Sequence, residues 1–106
     1  MITYKGQGEK MGPIEVSVYT EIDITPLTHY VRHSPDGFQA GYCGSGPAEL
    51  ARCILLDFFK RINCDQSKVD RIYQQFKTDV ISRLEPNFEL HHEKIDEWFK
   101  NIPILL

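Results

Sequence analysis

The chain has 106 residues, a formal net charge of -3, 42% hydrophobic and 25% charged residues. That is room for one domain, residues 1–106, around one core, with the composition of an ordinary globular protein. A negative balance without clustered Lys and Arg excludes general nucleic-acid binding, and no apolar run reaches the ~20 residues of a membrane helix.

The first half reads as strands. Ile2, Thr3 and Tyr4 form a short β-prone run. Three glycines and a proline between Gly6 and Pro13 mark a hairpin loop. Ile14, Val16 and Val18 then alternate with Glu15, Ser17 and Tyr19, the period of a strand with one buried face. Ile22 and Ile24 alternate with Glu21 and Asp23, and Pro26 makes this element an edge or a strand end. Residues 28–32 are a further strand candidate. They lead to Ser34-Pro35-Asp36-Gly37, a turn signal, and residues 38–42 are the last strand candidate.

The second half reads as helices. Leu50, Ala51, Ile54, Leu55, Phe58 and Phe59 recur at helical spacing, with only Glu49, Arg52, Asp57 and Lys60 as a polar stripe. A helix this apolar is covered on most sides, so it is expected to be central. Asn63 to Gln66 break it. A second helix starts near Ser67, with Asp70 at capping-box spacing, and carries Val69, Ile72, Tyr73, Phe76, Val80, Ile81 and Leu84. Glu85-Pro86-Asn87 ends it, and residues 88–90 suit a short strand. A third helix from about His92 places Ile95, Trp98, Phe99 and Ile102 on one face, and Pro103 stops it. The expected fold is therefore α+β: an N-terminal antiparallel sheet of three to five short strands on about three C-terminal helices. Ile104-Leu105-Leu106 is expected to dock on the core or on a second subunit, so monomer and homodimer both stay open.

The cysteines Cys43, Cys53 and Cys64 are odd in number and contain no C-x-x-C pair. Neither a disulfide framework nor a zinc site is expected, no cofactor is implied, and the compartment read from them is a reducing cytoplasm. No apolar run follows Lys5 as a secretion signal requires.

Gly41-Tyr42-Cys43-Gly44-Ser45-Gly46-Pro47-Ala48 is the most distinctive stretch. Gly41 and Gly46 have P-loop spacing, but Pro47 and Ala48 replace the Lys and Ser/Thr that hold phosphate and Mg²⁺. Glu49 replaces the third glycine of a dinucleotide fingerprint. Ser45 has glycines one position away rather than the two of a nucleophile elbow. Pro47 at the first helical position makes Gly46 the N-cap and puts Glu49 third, where its carboxylate would satisfy the exposed N–H groups. The competing reading leaves those groups to an external phosphate or carboxylate. The candidate ligand-binding residues are His33, Tyr42, Gly44, Ser45, Gly46, Ala48 and Glu49. His33, Tyr42, Ser45 and Glu49 on one pocket would offer a base, hydroxyls and a carboxylate. His29 and His33 share a face, and His91 and His92 are adjacent. Neither pair has a third ligand at a recognisable spacing, so no metal site is expected and the latter pair reads as helix capping or a turn.

His33-Ser34-Pro35, Gly37-Phe38, Gly41-Tyr42, Gly44 to Ala48, Leu50 and Ala51 resemble the pattern of a family of uncharacterised small proteins of phages and mobile elements. Tyr73, Phe76, Lys77, Ile95 and Trp98 resemble it too, so the likeness runs from Leu27 onward. The chain departs at Ala40, where the family often has Trp, and at Cys43, often Gly. With the small size and the lack of a complete catalytic motif, the resemblance implies a non-enzymatic accessory protein that binds a host protein in the host cytoplasm, with antagonism of host defence of the anti-CRISPR kind as the sharper expectation. A nucleotide- or anion-binding module at the glycine loop is the alternative.

Overall fold

A computed structural model describes residues 1–32 and 37–102. Among these described residues four strands form one sheet, β1 (Thr3–Gly8), β2 (Ile14–Tyr19), β3 (Ile24–Pro26) and β4 (Glu89–His91), in the order β3-β2-β1-β4. All three pairings are antiparallel. Three helices complete the α+β fold: α1 (Ser45–Arg61), α2 (Val69–Asp79) and α3 (His92–Asn101).

The alternation in β2 sets the register. Val16 and Val18 sit opposite Gly6 and Tyr4 on the buried face, and Ser17 and Tyr19 opposite Lys5 and Thr3 on the outer one. On the buried face lies α1, whose Leu50, Ile54 and Leu55 have no solvent exposure. The Tyr4 hydroxyl donates to Asp57 Oδ2 at 2.6 Å and ties β1 to this helix. Phe76 of α2 meets Trp98 of α3 edge to face, and Phe59 of α1 meets Phe99, so the second and third helices close the core from outside. One cluster runs from Tyr4 through α1 to Ile95.

Several expectations are corrected. The loop expected from Gly6 begins later, because β1 continues to Gly8 opposite Ile14. Gly6 is there for packing: a Cβ would collide with the Phe88 ring and lie 2.8 Å from the Pro86 carbonyl. The short strand expected at residues 88–90 forms as β4, one residue later, and joins the sheet beside β1. Residues 28–32 form no strand, and of residues 38–42 only Phe38 bridges to Ile14. The start expected at Ser67 is a 3-10 turn, Gln66–Lys68, capped by Asp65, whose carboxylate accepts from Ser67 N at 2.9 Å. The helical pattern expected to reach Leu84 leaves α geometry after Asp79 and passes through a 3-10 turn, Ile81–Arg83. The Ser34-Pro35-Asp36 turn and the Ile104-Leu105-Leu106 docking lie outside the described residues.

Candidate functional site

Residues 41–44 bend and deliver the chain to α1. Gly41 has φ +89°, and a Cβ there would approach the Leu84 carbonyl to 3.0 Å, so the bend needs glycine on both counts. The N-cap is Gly44, not Gly46. Pro47 accordingly sits third in the helix rather than first, which costs no hydrogen bond because the first turn's N–H groups lack helical acceptors anyway. Among the described residues no side chain caps this end, and no acid lies in its first turn. Gly44 and Gly46 make room for side chains: a Cβ would lie 2.7 Å from the Tyr42 ring at the first and 2.7 Å from Gln39 Cβ at the second. The Tyr42 hydroxyl donates to the Gln39 carboxamide oxygen, so the two covering side chains are joined.

Glu49 falls fifth in α1 and turns away from that end. It has no solvent exposure. Its carboxylate accepts from Arg32 N with both oxygens, at 3.1 and 2.9 Å, and His29 Nε2 stands 2.9 Å from Oε2. The His29 ring packs at a tilt on Phe38, centroids 4.7 Å apart. One turn on, Cys53 Sγ accepts from Tyr30 N at 3.3 Å and its thiol donates to Tyr30 O at 3.7 Å. Arg52 Nη1 donates to the same carbonyl at 3.5 Å. Burial pushes the Cys53 thiol up to about 11, against the smaller opposite pull of its bond to Tyr30. Arg32 Nη1 and Arg52 Nε converge on Asp70 Oδ1 at 3.0 and 3.2 Å.

The logic is that of an irregular segment needing hydrogen-bond partners. Residues 29–32 have no ladder, and side chains of α1 serve the Tyr30 and Arg32 backbone groups instead. Glu49, Arg52 and Cys53 stand at i, i+3 and i+4, one face of α1, and supply that. The result is a segment fixed from below whose own apolar side chains point outward: Tyr30 is 42% and Val31 61% exposed.

The pocket expected from Tyr42, Ser45 and Glu49 is not assembled. Tyr42 bonds Gln39, Ser45 is exposed at the helix start, and Glu49 is sealed under residues 29–32. His33 lies outside the described residues. Gly44, Gly46 and Ala48 do line the corner, with Gly46 and Ala48 buried and Ala48 N donating to Gly44 O at 2.9 Å. Glu49 does not take the capping place on α1 that its spacing from Pro47 suggests, but serves residues 29–32 beside Cys53. The signal was a carboxylate on the apolar face of a nearly all-apolar helix. His91 and His92 serve the chain's own packing: His91 Nδ1 lies 3.0 Å from Thr3 Oγ1, and His92 Nδ1 accepts from Ile2 N at 3.2 Å.

Among the described residues no group of His, Cys, Asp and Glu has the geometry to hold a metal ion, and no helix is long and apolar enough to cross a membrane. Residues 4–101 match the sequence pattern of a family of unknown function, DUF6166, and the chain belongs to that family. No curated protein and no solved structure matches it.

Proposed function

We propose that this DUF6166 member is a non-catalytic binding protein that acts by stoichiometric contact with another protein, through Tyr30 and Val31. The observation that carries this reading is the fully buried Glu49 spent on the backbone of Arg32. Burying a carboxylate is costly unless it is well bonded, and here the bonds hold an irregular surface segment in one conformation. A segment fixed before binding loses less entropy on docking, and tyrosine gives large contact area with few rotamers. The one carboxylate that sequence reasoning offered for acid–base work is thereby engaged away from solvent, which supports binding over turnover.

The resemblance to accessory proteins of phages and mobile elements extends the proposal to a host protein as partner, a defence effector of the CRISPR type included. The anion-binding alternative at residues 44–48 has less behind it, because Gln39 already lies against Gly46.

The test is affinity capture from host lysate with the natural chain and with a Tyr30→Ala, Val31→Asp double variant. The natural chain retains a partner in about 1:1 ratio, and the double variant loses it with an unchanged melting temperature. Retention by the double variant, or no partner and no effect on host defence, overturns the reading.

A further inference from the structure

We propose that β3 is a self-pairing edge, joining two copies of this chain about a two-fold axis that passes beside Ile24. Thr20 N donates to Asp23 O and Leu27 N to Val16 O, both at 2.9 Å. These bonded pairs bracket β3, so its intervening pairs alternate. Tyr19–Ile24 and Ser17–Pro26 are non-bonded pairs of the β2–β3 ladder. The N–H and C=O of Ile24 and the C=O of Pro26 therefore point away from β2, at the outer edge of the sheet. Among the described residues nothing covers them.

The side chains there are apolar and exposed. Ile22 is 91% and Ile24 62% exposed, where folded chains usually place charge to blunt an edge. An antiparallel partner centred on Ile24 sets Ile24 against its own copy and Ile22 of one chain against Pro26 of the other. Each apolar residue thus meets an apolar residue, and Ile24 from both copies joins Tyr19 in one strip across the outer face. The pairing is isologous, so it closes on itself at two copies.

Pro26 sets the limit. The Ile24 pair exchanges two N–H···O bonds, and Ile22 N–H of each copy reaches the Pro26 carbonyl of the other. To do so it gives up its long 3.3 Å contact with Thr20 Oγ1. Pro26 has no N–H to return, so the ladder stops there. A strand of three residues buries less than the standard interface of about 1,600 Å², so the dimer is weak and concentration-dependent.

Sedimentation velocity on the intact chain tests this from about 10 μM to about 1 mM, the range in which small interfaces act. The mass rises from 12.3 kDa toward twice that value, and exchange of the Ile24 amide slows over the same range. Ile24→Lys sets like charges face to face and holds the chain monomeric with an unchanged far-UV spectrum. Pro26→Val restores the missing donors and tightens association about tenfold. A mass that stays at the monomer value throughout overturns the proposal. So does a dimer that Ile24→Lys leaves intact.

Discussion

Two carboxylates on α1, two turns apart, have opposite relations to the rest of the fold. Asp57 accepts from the Tyr4 hydroxyl at 2.6 Å and from Arg61 Nε at 2.7 Å. Tyr4 belongs to a strand already paired on both sides, with Val18 and with Leu90. Glu49 instead bonds a backbone that has no ladder at all. The first carboxylate reinforces a position that β pairing dictates, and the second creates one. A half-buried acid beside regular structure contributes stability, whereas a fully buried acid beside irregular structure also determines shape.

Removing Glu49 gives the largest effect. Glu49→Ala leaves the Arg32 amide and His29 without their acceptor and costs about 3 kcal/mol or more in urea unfolding. Exchange of the Arg32 amide accelerates while the Tyr4 amide keeps its protection. Glu49→Gln retains one acceptor oxygen and loses roughly half as much. Equal acceleration at both amides would erase the distinction between the two carboxylates.

Alkaline titration comes next. The Cys53 thiol titrates near 11 in the folded chain and from 9.0 in the unfolded one. A raised acid binds its proton more tightly when folded, so its contribution is complete below pH 9 and disappears as pH rises toward 11. The loss is roughly 2–3 kcal/mol. Cys53→Ala removes this step from the pH profile of stability, read by the fluorescence of the single tryptophan, Trp98. Burial pushes the Tyr4 phenol above its ordinary value of 10.0 as well, helped by its bond to Asp57, so a further decline sets in above pH 10. Tyr4→Phe abolishes that later decline. At neutral pH it costs about 1–2 kcal/mol for the lost bond to a charged acceptor, and it leaves exchange at Arg32 unchanged.

The same contrast explains what the sequence could reveal. Period-two alternation from Ile14 to Tyr19 and helical periodicity from Leu50 to Phe59 are repeated signals of one-sided burial, and both elements stand where those patterns put them. β1 was legible only to Tyr4, because Gly6 and Gly8 look like loop residues until Phe88 is seen lying over Gly6. Residues 28–32 carry β-prone side chains, and nothing local in them tells that a side chain twenty positions on replaces a ladder. Glu49 was legible as a residue of consequence, yet its role was misread. Capping is a local rule and the actual bond is long-range. The site was therefore visible as a list of residues and hidden as a geometry.

The smallest effect bears on whether Glu49 or the surface charges hold residues 29–32. Arg32 and Arg52 both reach one oxygen of Asp70, whose side chain is 53% exposed. Water and salt screen such pairs, so Asp70→Asn costs no more than about 0.5 kcal/mol, and less at high ionic strength. Capture of a protein partner through Tyr30 and Val31 persists in that variant. A loss above about 1 kcal/mol that vanishes in salt would move the anchoring of this segment from the buried carboxylate to the surface ion pairs. The segment would then be held only under low-salt conditions. Partner binding would weaken with salt in the same proportion, which separates the two accounts in one titration.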